Sequence, residues 1–309
     1  MAGIMLKPSL IRTLLVLLTY AITYASSKRP FYIIGHQVNS IEEVKEYLDK
    51  GSNVLESDIR FYSNGTVKEM LHGPPCECDR NCLLKANLGQ YLKHVRDITD
   101  PGKGDSYYEK MLVQFFDMKL GDSDNVTESG RSMAQHVLDY LWTEDGSRKQ
   151  EVRALLYFEG DQIRADQGDV VAGFIDELRL RGKTDRLADV GFDVGSSSLS
   201  SIRSILKQLK IDKNVWLGDG DINCKNGVHP YTRLIEESDN RDSIDRLTEK
   251  VYAWTIDDEN RMRKSLELGV DGMITNVPEK LTKILEEFEN FRLGTIEDDP
   301  FAYYKPKEA

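Results

Sequence analysis

Residues Asn53 to Gly73 bring two carboxylates and an imidazole into one short stretch: Asn-Val-Leu-Glu-Ser-Asp-Ile-Arg-Phe, a turn, then Met-Leu-His-Gly. Read as a strand, it sets Glu56 and Asp58 on one face, with Val54 continuing the row, because side chains alternate. Two carboxylates ~5 Å apart at an effective dielectric of ~20 repel by roughly 3 kcal/mol. A cation beside them, or a proton kept by one of them, removes that cost. The plainer alternative is a half-exposed strand with two solvated acids, and His72 just downstream weighs against it.

Asp117 and Lys119 repeat the same two-residue spacing and so share a face as well. Glu56, Asp58 and Asp117 together offer three oxygen ligands, a set that suits a hard cation such as Mg²⁺ that keeps several waters and accepts a substrate phosphate. A buried Asp117–Lys119 ion pair without metal is the competing account. His36 and His72 each stand beside a glycine, which lets the backbone bring the ring close to a ligand. Two imidazoles flanking a phosphate supply a base and an acid near working pH. The other three of the five histidines, His94, His136 and His229, read as surface or packing residues. Tyr252 and Trp254 also lie two apart, and their faces suit a quaternary ammonium group, although core packing explains Tyr252 equally well.

The elements that must position these groups come in a regular order. Apolar β-prone runs at Phe31–His36, Asn53–Phe61, Leu112–Leu120, Ala154–Glu159, Val190–Val194, Val215–Asp219, Val251–Ile256 and Gly272–Asn276 alternate with helical patterns. Eight strands alternating with helices predict an α/β fold, a (β/α)8 TIM barrel in a single domain, with a doubly wound open sheet as the other possibility. No GxGxxG loop follows the first strand, which argues against dinucleotide binding. His36, Glu56, Asp58, Asp117, Lys119 and Trp254 all fall late in their strands, where barrels keep their reactive residues.

The 309-residue chain carries 41 basic and 52 acidic side chains, a net charge of -11. That balance argues against a nucleic-acid binder and against electrostatic docking on anionic membranes, but leaves zwitterionic lipid surfaces open. Residues 1–27 read as a signal peptide: Lys7 and Arg12 precede an apolar run from Leu14 to Ala25 ending in small residues, with a signal-anchor as the alternative. The mature domain is then 28–309, beginning near Ser26 to Lys28, and the protein is secreted. An oxidising compartment turns Cys76, Cys78, Cys82 and Cys224 into two disulfides; bridging Cys76 to Cys78 would strain so short a loop, which leaves two pairings. Asn64-Gly65-Thr66 and Asn125-Val126-Thr127 are N-glycosylation sequons, and Asn64-Gly65 is also a hairpin-turn dipeptide.

Gly-His36-x-Val-Asn39, Glu56-Ser-Asp58, His72-Gly-Pro-Pro-Cys-Glu-Cys, Phe-Asp117-Met-Lys119, Val-Tyr-Ala-Trp254-Thr and Met-Ile-Thr-Asn276 follow one another in an order that resembles the arachnid sphingomyelinase D / phospholipase D toxins. The final Leu-Gly-Thr-Ile-Glu-Asp-Asp-Pro-Phe is similar to that family's C-terminal plug, with Phe301 where tryptophan is common. More distantly the chain is similar to glycerophosphodiester phosphodiesterases. The resemblance implies a distorted TIM barrel and one Mg²⁺ on Glu56, Asp58 and Asp117. It also implies His36 and His72 as the catalytic pair, Lys119 on the phosphate, and Trp254 shaping the substrate pocket with Tyr252 beside it. It implies Cys76–Cys82 and Cys78–Cys224 disulfides. The implied reaction removes the head group of sphingomyelin or lysophosphatidylcholine, drawn from membrane or lipoprotein phospholipids, through attack by the substrate's own hydroxyl to give a cyclic phosphate. The alternatives are a glycerophosphodiesterase of small soluble substrates and a catalytically silent lipid-binding protein. Nothing in the sequence points to an obligate dimer, and a monomer is expected. Two departures from the family pattern, Glu77 in place of aspartate and Gly218 in place of serine, are expected to stand clear of the core site.

Overall fold

The computed structural model describes residues 28–143, 150–162, 168–196, 198–224 and 231–304. The expected signal peptide at 1–27 and His229 lie outside the described residues.

Eight parallel strands close into a barrel: β1 (Arg29–Gly35), β2 (Val54–Phe61), β4 (Val113–Lys119), β5 (Arg153–Glu159), β6 (Val190–Gly195), β7 (Val215–Gly220), β8 (Lys250–Trp254) and β9 (Gly272–Thr275). The pairing of Ile34 with Val54 and of Ile34 with Ile274 joins β1 to both β2 and β9, which leaves the barrel no free edge. Each expected strand is present with ends within two residues of the sequence reading. Two short strands were not anticipated. β3 (Val67–Met70) forms an antiparallel hairpin with β2, and β10 (Phe291–Leu293) pairs with the start of β1. The β2–β3 turn falls at Asn64-Gly65, where Gly65 has φ +91°, a conformation that favours glycine.

Eight α-helices surround the barrel among the described residues: α1 (Ile41–Asp49), α2 (Leu88–Ile98), α3 (Val126–His136), α4 (Val170–Leu180), α5 (Leu199–Leu209), α6 (Thr232–Arg241), α7 (Glu259–Glu267) and α8 (Pro278–Leu285). Their starts follow local chemistry. Asn87, Asn125, Asp169, Ser198 and Asp258 each cap a helix by accepting a hydrogen bond from the backbone N–H three residues on. Asn125 thus carries both a sequon and a cap.

Apolar side chains on the strands divide between the barrel interior and the outer, helix-facing side. Tyr32, Ile34, Val54, Phe115, Leu155, Trp216 and Tyr252 fill the barrel interior, while Leu55, Ile59, Phe116 and Met118 face the helices. The inward row on β2 is therefore Val54, Glu56, Asp58, polar only toward its C-terminal end. The far end is closed by the C-terminal segment. Phe301 joins the interior cluster, Trp216 Nε1 donates to the Pro300 carbonyl at 2.9 Å, and the Lys250 ammonium donates to the Ala302 carbonyl. Gly191 makes room for this plug, since a Cβ there would lie 2.2 Å from the Phe301 ring.

Candidate active site

With the far end plugged, the barrel opens where β1, β2 and β4 finish. In register, Asp58 stands opposite Asp117 and Glu56 opposite Phe115. One oxygen from each of Glu56, Asp58 and Asp117 lies within 4.8 Å of the others. Lys119 Nζ sits 3.1 Å from Asp58 Oδ1 and 2.5 Å from Asp117 Oδ2. Glu56 is held differently: the Gln37 N–H donates to its Oε2 at 2.6 Å. Asn39 clamps Asp58, giving its Nδ2 to Oδ2 at 2.8 Å and accepting the Asp58 N–H at 2.9 Å.

Charge balance sets the protonation of the cluster. Burial, and then the neighbouring Asp58 and Asp117, push Glu56 well above the usual carboxylate range. Burial also raises Asp117, with Lys119 opposing it. For Asp58 burial acts upward but is outweighed by Lys119, His72 and Asn39, so its carboxyl falls below the usual range. Lys119 itself is partly desolvated, yet Asp117 and Asp58 hold it firmly protonated. One ammonium therefore faces three carboxylates. The remaining negative charge, the all-oxygen donor set and the close convergence fit a hard divalent cation. The Asp117–Lys119 ion pair forms as well.

The imidazoles flank this cluster. His36 is 6% exposed, and burial lowers its pKa to about 4 against the opposing pull of Asn276 and Asp58. His36 Nδ1 lies 2.9 Å from Asn276 Oδ1. Asp257 fixes that amide by accepting from Asn276 Nδ2 at 2.7 Å, from the Asn276 N–H at 2.8 Å and from Thr275 Oγ1 at 2.9 Å. Turning the amide over would face its NH₂ to the ring and its oxygen to the carboxylate, so Nδ1 carries the proton and Nε2 is left as the lone-pair nitrogen. His72 follows the same logic locally: its Nδ1 pairs with the Gly73 carbonyl at 2.7 Å.

Both disulfides are present, Cys76–Cys82 and Cys78–Cys224. The first closes the turn after His72, and the Gly73 N–H donates to the Cys82 carbonyl at 2.9 Å. Between these cysteines Glu77 turns inward, and its Oε2 lies 3.8 Å from His36 Nε2. Burial raises its carboxyl. The expectation that Glu77 stands clear of the site is thus corrected: a loop pinned at Cys76 and Cys78 presents the residue between them to the cavity. Gly218 does not line the cavity, but it supports a residue that does. A Cβ there would fall 2.3 Å from Tyr252 Cζ, so its absence lets the Tyr252 ring lie across β7.

Tyr252 is both packed and at the site. It is 3% exposed, donates to Asp193 Oδ2 at 2.7 Å, and lines the cavity with Trp254, Phe115 and Tyr157. Glu159 and Gln162 complete this wall, and the Tyr157 hydroxyl donates to Glu159. Tyr157 and Glu159 escaped the sequence reading although they obey the same signal as Asp117 and Lys119, two polar-tipped residues spaced by two at a strand's C-terminal end. Asp257 and Asn223 lie in loops and carry no such signal. Asn64 and Asn125 are exposed and distant in role from the cavity.

Residues 26–301 match the family described as dermonecrotic toxin SPH. Similar proteins include dermonecrotic toxin Hl-PLD1 of Hemiscorpius lepturus, 34% identical over 94% of this chain and 90% of the toxin. Dermonecrotic toxin LlSicTox-betaIA1 of Loxosceles laeta is 36% identical over 91% of this chain and 92% of its own length. Among solved structures, a glycerophosphoryl diester phosphodiesterase of Parabacteroides distasonis superposes with a TM-score of 0.53 at 12% identity, covering 91% of this chain and 96% of the other. A second phosphodiesterase of that organism gives 0.50 at 18% identity, covering 84% and 98%. Those two share the barrel, whereas the toxins match in sequence along nearly the whole chain, and it is to the dermonecrotic toxin family that this protein belongs.

Proposed function

We infer that the protein is a secreted, Mg²⁺-dependent enzyme of the phospholipase D type that removes the head group of sphingomyelin and lysophospholipids such as lysophosphatidylcholine. The phospholipase D character comes with the family; the lipid, the ion and the residue roles are this reading's own. The observation that carries it is the convergence of Glu56, Asp58, Asp117 and Lys119 with two oriented imidazoles at one barrel mouth. No described helix is long and apolar enough to cross a membrane. In this reading the substrate comes from a membrane or lipoprotein surface, the protein acts as a monomer, and Asn64 and Asn125 are open to glycosylation.

In this reading the substrate phosphodiester sits between the two imidazoles. Glu56, Asp58 and Asp117 would hold the Mg²⁺, which when bound would supply neutralisation of phosphoryl charge. Lys119 adds a fixed ammonium directed at the same oxygens. His36, kept neutral by burial, takes the proton of the substrate's own hydroxyl on Nε2 as that oxygen bonds to phosphorus. His72, entering this step as the imidazolium with its Nδ1–H on the Gly73 carbonyl, gives its Nε2 proton to the departing head-group oxygen as that oxygen's bond to phosphorus breaks, leaving a cyclic phosphate on the lipid. Trp254, Tyr252, Tyr157 and Phe115 offer aromatic faces to a cationic head group, and Glu159 adds a carboxylate.

The test is incubation with sphingomyelin, lysophosphatidylcholine, an ethanolamine analogue and glycerophosphocholine, with Mg²⁺ or EDTA, followed by mass spectrometry of the products. A cyclic phosphate and free head group from lipid are expected, and EDTA abolishes both. Turnover of glycerophosphocholine alone would replace the lipid reading by a glycerophosphodiesterase; binding of lipid without cleavage of any substrate would make the protein a silent homologue.

A further inference from the structure

Asn223 joins three parts of the molecule that are remote in sequence. Its Nδ2 donates to Asp257 Oδ2 at 2.6 Å and to the Cys78 carbonyl at 2.8 Å. Next to it Cys224 is bonded to Cys78, and the Cys78 N–H lies 2.6 Å from Cys224 Sγ. Asp257 Oδ2 has a second donor, Asn276 Nδ2, and Asn276 Oδ1 in turn faces His36 Nδ1. A single amide thus links the loop that bears the second disulfide to the imidazole.

We propose that Asn223 is a positioning residue for His36, acting through Asp257 and Asn276 to hold the ring with Nδ1 protonated, and that it ties this alignment to the loop closed by Cys78–Cys224. The inference rests on the role given to His36 above. The physical basis is the sharing of one carboxylate oxygen. Asp257 Oδ1 is anchored by the Thr275 hydroxyl and the Asn276 backbone, whereas Oδ2 has two side-chain amides. Without Asn223, half of the Oδ2 hydrogen bonding passes to water. The carboxylate then turns about its Cβ–Cγ bond, and the Asn276 amide loses the partner that fixes which end faces His36. A group one hydrogen bond from a working imidazole typically changes activity by about 10–100-fold when lost, and Asn223, two partners further out, falls at the lower end of that range.

The experiment compares Asn223→Ala and Asn223→Asp with the full wild-type chain. The aspartate is nearly isosteric but donates nothing and sets a second carboxylate against Asp257; Asn223→Gln restores a donor on a longer arm. Side-chain ¹⁵N and ¹³C NMR of His36, assigned by the signal missing in His36→Gln, reports the tautomer in EDTA as well as in Mg²⁺. The wild type is expected to show the Nδ1-protonated form. Asn223→Ala and Asn223→Asp are expected to show a mixture of tautomers and a kcat lower by about tenfold with KM changed less than twofold. Asn223→Gln recovers part of both. Should Asn223→Asp fail to fold, Asn223→Ala decides alone, since it removes a half-buried side chain and adds nothing. Wild-type tautomer and kcat in the alanine variant would overturn the proposal. So would a loss of kcat with the tautomer unchanged. The NMR readout stands whether or not the lipid substrate is right, because it needs no turnover.

Discussion

Asp58 on β2 and Asp117 on β4 are register partners across adjacent parallel strands, and Lys119 Nζ bridges them at 3.1 Å and 2.5 Å. A slip of one residue between β2 and β4 would turn one whole carboxylate row to the helix layer. The interior packing of Val54 and Phe115 just below therefore fixes the geometry of the acid cluster.

The cluster carries more negative charge than Lys119 neutralises, which predicts opposite effects of one mutation with and without metal. Glu56→Gln keeps an oxygen for the Gln37 N–H but removes a charge. In EDTA it should be more stable than wild type by about 1–2 kcal/mol. Wild type should gain thermal stability with added Mg²⁺ and the variant should not. Melting curves across a Mg²⁺ titration check both; a variant less stable in EDTA would contradict the charge account.

His36 should leave a mark on the pH dependence of stability. Its folded pKa is about 4, against ~6.5 for an unfolded histidine. As pH falls the unfolded chain takes the proton first, so stability present above pH ~6.5 is lost as pH falls toward the folded value. The loss over that window is about 3 kcal/mol. Urea unfolding of metal-free wild type and His36→Gln at several pH values should show a flatter dependence for the variant. Equal slopes would mean that His36 is not held neutral by burial.

Removing either imidazole should lower turnover without unfolding the barrel. His36→Ala and His72→Ala are each expected to reduce kcat by about 10²–10⁴-fold, as for loss of a general acid or base. Because the two act on opposite sides of one transfer, the double variant should lose much less than the product of the single losses. Steady-state kinetics with circular dichroism as a fold control provides the measurement.

The two disulfides should differ in what they stabilise. Cys76–Cys82 spans 6 positions and Cys78–Cys224 spans 146. By loop-closure entropy their upper contributions are about 2 and about 5 kcal/mol. Cys76→Ser/Cys82→Ser should therefore be the less destabilised pair variant in urea. It should still lose activity, because the Gly73–Cys82 hydrogen bond that holds the His72 turn depends on that loop.

Phe301→Ala should cost about 3–5 kcal/mol, since the ring fills the plugged end of the barrel and Gly191 leaves a cradle shaped for it. Gly191→Val should destabilise comparably by closing that cradle. Chemical denaturation of both variants tests this, and a change under 1 kcal/mol in either would mean that the end can repack.

The strands and most of the site could be read directly from sequence because both follow a short period. Alternation by two set Glu56 with Asp58, Asp117 with Lys119, and Tyr252 with Trp254, and the apolar runs around them marked the barrel. Glu77 could not be placed: its direction depends on two disulfides that close over 6 and 146 positions. Nor could Asn223, Asp257 and Asn276 be linked to His36, since 240 residues separate His36 from Asn276 and loop conformation alone brings them together. The sequence by itself determined which chemistry is present and on which strand ends it stands, because strand geometry is local and periodic. The tertiary structure decided which nitrogen of His36 is free, which carboxylate is pushed furthest above its usual range and which loop faces the cavity, because those depend on burial and on hydrogen bonds between segments that meet only when the barrel closes.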